Sequence, residues 1–234
     1  ILAKAGADVS QLQCGCHAPS FFTATETTPP AGAQWSALHH NCSGKHAGFL
    51  AYCRMHDQPL ESYLDPGHPL QQRIRTTVAR FTNGDSVAWG IDGCSAPNCA
   101  MPLKRLAQTY ARMATGDTPE LRALFFAMSR HPDLVSGTRR MDLAIMQAGA
   151  GDWISKAGAD GIQAIGVQSK GMGIAIRIAD GNPRALHAAT VAALEQLGLL
   201  DDPSGTPLAA YDCPPIRNYR GIETGGVVPV FKLR

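Results

Sequence analysis

Apolar side chains recur at a helical period in several stretches of the chain. Phe49, Leu50 and Cys53 share a face of a helix predicted over residues 46–55, and Leu70, Ile74, Val78 and Phe81 line one over residues 68–81. Asn83-Gly84-Asp85 ends the second, and a short strand at 87–91 then runs into Asp92-Gly93-Cys94. Helices are next predicted over 102–113, with Pro102 in an allowed first-turn position, and over 118–129, where Thr118-Pro119-Glu120 supplies a capped start. The loop Ser136-Gly137-Thr138-Arg139-Arg140 leads to a helix at 142–148. The period then changes to that of strands at 153–156, 162–167 and 171–178, with hairpin turns at 158–161 and 168–171. A helix over 184–197, stopped by Gly198, packs back on them. Residues 1–6 read as the tail of a helix, and residues 19–36, rich in Thr, Pro, Ala and Gly, as a connecting loop.

Strands that are adjacent in sequence and joined by tight turns imply an antiparallel sheet with helices packed against it, an α+β class. A parallel doubly wound sheet fits less well, because it needs crossover helices between its strands. The 234 residues, 44% apolar and 17% charged, suffice for a sizeable core. Twenty-one basic residues against nineteen acidic leave a formal +2 with no basic stripe, which argues against a nucleic-acid surface. The longest apolar runs fall far short of the roughly 20 residues of a membrane helix. Seven cysteines without scaffold spacing imply a reducing, cytoplasmic setting.

The chemistry concentrates in Asn41-Cys42-Ser43-Gly44-Lys45-His46-Ala47-Gly48 and in Asp92-Gly93-Cys94. Gly44, Gly48 and Gly93 are expected to permit tight turns. Cys42 lies at a helix entrance, where the dipole favours a thiolate, the form that binds metal or attacks carbon. An open catalytic zinc needs three protein ligands, for which Cys42, Cys94 and either Lys45 or His46 qualify. Cys42 as a nucleophile, with His46 as its base and Asp92 orienting it, is another reading. Cys42 as a small core side chain and Lys45 as a solvated helix residue is the plain one. Cys14-Gly15-Cys16-His17 is the nearest local cluster of metal-ligand types. Ser155-Lys156-Ala157-Gly158 resembles the Lys-Thr-Gly strand motif of serine β-lactamases and penicillin-binding proteins, which lies beside a Ser-x-x-Lys nucleophile. None of the serines here has a lysine three positions later.

Taken in order, Leu12-Gln13-Cys14-Gly15 with His17 and Pro19, the two segments around Cys42 and Cys94, Ser155-Lys156-Ala157-Gly158-Ala159-Asp160-Gly161 and Ile178-Ala179-Asp180-Gly181 resemble the rhizobial-type bacterial L-asparaginases (asparaginase II family). That resemblance implies a fold related to glutaminases and serine β-lactamases, and hydrolysis of the side-chain amide of L-asparagine to aspartate and ammonia. It implies a zinc ion held by Cys42, Lys45 and Cys94, with His46 and Asp92 close by, and Lys156 as amine partner of a catalytic serine. Arg139 and Arg140 are candidates for the substrate carboxylate. Residues 1–234 would then be the C-terminal major part of one catalytic domain, a helical region at about 40–150 being inserted relative to the sheet and closing helix at about 151–234. The family's nucleophilic serines lie in an N-terminal portion expected to be missing here, so this chain alone is expected to be inactive. A small-molecule substrate is the partner implied, with a homodimer as the candidate assembly and neither nucleic acid nor membrane. A non-catalytic zinc module and a cysteine-nucleophile amidase are the competing functions.

Overall fold

The computed structural model describes residues 1–84 and 88–233, which fall into two units, residues 1–102 and 103–234. In the first unit, α1 (Leu2–Ala5) closes on Gly6 in the left-handed region and is the predicted helix tail. A short helix α2 (Ser20–Thr25) then interrupts the segment expected to be loop throughout. The breaker residues begin only after it, at Thr27-Thr28-Pro29-Pro30, while Phe22 of α2 finds a ring partner in Trp35, 5.7 Å away.

Helix α3 (Ser43–Met55) starts three residues earlier than its apolar period predicted, directly after Cys42, which places Lys45 and His46 in its first turn. Leu50 and Cys53 are fully buried with Leu12, Leu60, Tyr63, Leu70, Cys94 and Ala96, and Phe49 packs at the edge of that core. Helix α4 (Pro69–Phe81) buries Leu70 and Gln71, and Ile74 packs against the same core. His68 caps it by accepting the Leu70 N–H at 3.1 Å. Strand β1 (Ala88–Ile91) pairs antiparallel with β2 (Pro97–Ala100). The positions Asp85 and Val87, assigned above to a helix stop and a strand start, lie outside the described residues. No apolar alternation marks β2, so its sequence does not announce a strand.

In the second unit α5 (Leu103–Thr115) and α6 (Pro119–Arg130) lie where predicted, and the Thr118 side chain accepts the Leu121 N–H at 3.3 Å. A short helix α7 (Pro132–Ser136) and α8 (Met141–Ala148) precede the sheet. Strands β3 (Trp153–Gly158), β4 (Ile162–Val167) and β5 (Met172–Arg177) form the three-stranded antiparallel sheet in sequence order, and α9 (Pro183–Gln196) follows. Asp160 and Gly161 turn the first hairpin in the left-handed region, φ 55° and 78°.

Alternating β3 residues serve two cores: Trp153 joins Ile145, Ile165, Val167, Val191 and Leu194, while Ile154 joins Ala114 and Phe125. Gly166 and Gly173, opposite each other in the β4–β5 register, make a slot for the backbone of α5. A Cβ on Gly166 would stand 2.9 Å from the Tyr110 carbonyl oxygen, and one on Gly173 would collide with that of Ala107. An exposed hairpin of β6 (Pro215–Arg217) and β7 (Glu223–Gly226) follows, and beyond it Gln196 of α9 bonds to the backbone of Phe231 and Leu233. Among the described residues no helix is long and apolar enough to cross a membrane. The class is α+β, as the pattern predicts.

Candidate functional site

The hairpin of β1 and β2 is closed by a tight loop in which the Asp92 N–H donates to the Ala96 carbonyl and the Ser95 N–H to the Asp92 carbonyl, at 2.9 and 2.8 Å. The left-handed residue of this loop is Ser95, φ 69°, and not Gly93. Gly44, Gly48 and Gly93 all stay out of the left-handed region with open space where a Cβ would stand; the first two lie within α3, where the tight turns expected of them are replaced by helix, and the loop at Gly93 does not depend on its being glycine.

The loop brings Cys94 and Asp92 to the first turn of α3. Lys45 Nζ donates to Cys94 Sγ at 3.2 Å and stands 3.6 Å from Asp92 Oδ2, which is itself 3.5 Å from Cys94 Sγ. Cys42, at the N-cap, packs against the core that holds Cys94 and lies in electrostatic reach of Lys45, Cys94 and Asp92, and its N–H donates to His40 Nδ1 at 2.9 Å. An amine, a thiol and a carboxylate from segments about fifty residues apart are thus in mutual contact, with the thiol of Cys42 packed nearby. Cys94 is 2% exposed, whereas the Lys45 and Asp92 side chains are 40% and 33% exposed, so the cluster is dry at Cys94 and wet on its charged side.

The electrostatics depart from the expectation for a helix entrance. Burial pushes the Cys42 thiol above its ordinary value by more than the Lys45 charge draws it down, and Cys94 and Asp92 push the same way as burial. Burial and neighbours of like charge thus work against the ready thiolate expected at a helix entrance. For Lys45, burial is the largest single influence and lowers its proton affinity, yet Cys94, Cys42 and Asp92 together leave it raised. An ammonium at a helix N-terminus opposes the macrodipole, and these three neighbours offset that.

His46 is fully buried, its Nδ1 2.7 Å from the Tyr63 hydroxyl, which accepts the Gln13 N–H at 2.8 Å. Among the described residues its Nε2 has no partner. Burial, then the charges of Lys45 and His40, bring its pKa down to about 4, so the ring is neutral at pH 7. Cys14 is buried near the Ala37 carbonyl, Cys16 is exposed, and His17 stacks near His40 with ring centroids 4.4 Å apart. All seven cysteines are free thiols. Among the described residues no three His, Cys, Asp or Glu side chains are grouped as metal ligands. The Cys42, Lys45, Cys94 set contains two such residues and a lysine.

In the second unit Lys156 lies on β3, about half exposed, with Nζ donating to the Ala157 carbonyl at 2.9 Å and 3.8 Å from Asp142 Oδ2. Asp142, in the first turn of α8, is 2% exposed and accepts from Ser155 Oγ, the Ala157 N–H and Gln163 Nε2. Sequence reasoning passed over Asp142; an acidic residue in the first turn of a helix next to a Ser-Lys strand was the available signal. Arg139 is exposed in the left-handed region, φ 52°, and Arg140 is the half-buried N-cap of α8, where its charge reaches His187 and Tyr211.

A family model for L-asparaginase II matches residues 1–229, and the chain belongs to that family. No curated protein sequence matches it.

Proposed function

We propose that the chain carries the amide-hydrolysing machinery of an L-asparaginase, acting on the side-chain amide of L-asparagine, with a zinc ion at Cys42, Lys45 and Cys94. The family match along residues 1–229 carries the amidohydrolase reading. The zinc reading is supported by the donor set. A thiol and an amine within hydrogen-bond reach, with a second thiol in electrostatic reach of both, are zinc-ligand chemistry, and two thiolates would balance the charge of the ion. Zinc bound there would orient or polarise the substrate. Asp92, beside both Lys45 and Cys94, would hold these ligands in place from outside the coordination sphere. Buried His46 would brace the first turn of α3 through Tyr63.

Lys156 is the proton acceptor in this reading. Its neutral amine takes the hydroxyl proton of a serine as the oxygen bonds to the amide carbon, and the resulting ammonium returns a proton to the departing ammonia. Water then clears the acyl-enzyme. With no Ser-x-x-Lys among these 234 residues, the reading places that serine outside them, in a β-lactamase-like arrangement. Arg140 is the better placed of the two arginines to meet the substrate carboxylate, being half-buried beside His187 and Tyr211.

Cys94→Ser is the direct test. Metal analysis of the purified full-length protein is expected to show zinc per chain falling well below one, with asparagine turnover reduced. Wild-type zinc content in the variant refutes the ligand set, and no ammonia released from asparagine by the wild type refutes the activity.

A further inference from the structure

The buried carboxylate of Asp142 is the strongest feature that the functional reading leaves unused. Every hydrogen bond made by its side chain falls on the strand that carries Lys156 or on the facing position. Ser155 Oγ donates to Oδ1 at 2.8 Å and the Ala157 N–H to Oδ2 at 2.9 Å, the residues on either side of Lys156. Gln163, opposite Ala157 in the β3–β4 register, donates from Nε2 to Oδ1 at 2.7 Å and to Ser155 Oγ at 2.7 Å. Gln163 Oε1 is left buried with no donor among the described residues. Turning the amide over would aim that oxygen at the carboxylate, so the charge of Asp142 dictates an orientation that leaves a polar atom unsatisfied. A contact needed only to pack α8 on β3 would not require a carboxylate, because an apolar pair does that without burying charge.

The ammonium of Lys156 is the cation within reach, 3.8 Å from Oδ2 and anchored on the Ala157 carbonyl at 2.9 Å. The geometry points to Asp142 as the positioning residue of Lys156: it fixes the strand on both sides of the lysine and stabilises the ammonium that forms when the amine takes the nucleophile's proton. The atom balance is unchanged from the acyl transfer above; Asp142 exchanges no proton, and its charge favours the protonated amine in the transition state and in the acyl-enzyme. This rests on the reading of Lys156 as the proton acceptor. Other groups in electrostatic reach of Asp142 are Tyr110 from α5, His187 from α9 and Tyr211 from the turn after α9, the last two of which also feel the charge of Arg140 at the start of α8.

The experiment is the pH profile of kcat/KM for asparagine in the full-length protein and four variants, with thermal unfolding as a check on folding. Asp142→Asn removes the charge at constant shape; kcat is expected to fall about 10- to 100-fold with KM little changed, and the acid limb to move to lower pH as the amine loses proton affinity. Ser155→Ala removes a donor that disperses the carboxylate charge, and its limb is expected to move the opposite way. Mere loosening of the sheet would lower activity in both without opposed shifts. His187→Phe is expected to leave the limb in place. An unmoved limb in Asp142→Asn, a Ser155→Ala limb that stays or moves downward, or an equal shift in His187→Phe overturns the proposal, and Ser155→Ala decides alone if Asp142→Asn does not fold. Lys156→Ala with wild-type turnover would instead defeat the proton-acceptor reading itself.

Discussion

Each unit sets a lysine beside an aspartate at nearly the same distance, 3.6 Å for Lys45 and Asp92 and 3.8 Å for Lys156 and Asp142, yet the two pairs differ in kind. Asp92 is one-third exposed on a hairpin loop, its charge shared between water, an ammonium and the thiol of Cys94. Asp142 is 2% exposed between a helix and a strand, where three donors replace its water. Distance alone does not set the worth of an ion pair. Burial decides whether losing one partner is absorbed by solvent or leaves an uncompensated charge.

Three measurements probe this contrast. Lys156→Ala has the largest expected effect, a loss of about 100- to 10,000-fold in asparagine turnover with the fold kept. Ammonia release and circular dichroism check it, and turnover near the wild-type rate would remove Lys156 from the chemistry.

Next in size is a paired stability measurement by urea unfolding. Asp142→Ala strands the donors of Ser155, Ala157 and Gln163 and is expected to cost about 3–5 kcal/mol. Asp92→Ala is expected to cost less than about 1 kcal/mol, because the carboxylate and its charged partner Lys45 are both reached by water. Equal costs would erase the distinction between the two pairs.

The smallest effect is a pH dependence in the second unit. Burial, then the charge of Arg140, lowers the His187 pKa from 6.5, against the opposing pull of Asp142. Below pH 6.5 the unfolded chain takes up a proton that the folded one resists, so this contribution to stability is whole above 6.5 and is lost as the pH falls below it. His187→Phe, which keeps a ring against Tyr211, is expected to flatten the loss of melting temperature between about pH 7.5 and 5.5. A slope as steep as that of the wild type would clear His187 of the effect.

Most elements of the second unit were legible in the sequence because their signals are local. The three strands end in turns the sequence announces, and Thr118 marks the start of α6 with its own side chain. The apolar period located α3 but missed its first turn, since Ser43, Gly44 and Lys45 contribute nothing apolar. Strand β2 and the terminal hairpin went unseen because their exposed residues carry no alternation. Helix α2 was hidden by the breaker-rich stretch that follows it.

By itself the sequence determined the α+β class, the sheet register through its turns, and the family, since motif order survives without coordinates. Only the tertiary structure decided that Cys94 and Lys45 touch across 49 positions, that burial raises the Cys42 thiol against the pull of Lys45, and that Asp142 lies under the strand of Lys156. The physical reason is range. Periodicity, caps and turns act over a few residues and are written in neighbouring letters, whereas desolvation and charge pairing depend on which distant side chains share a dry space.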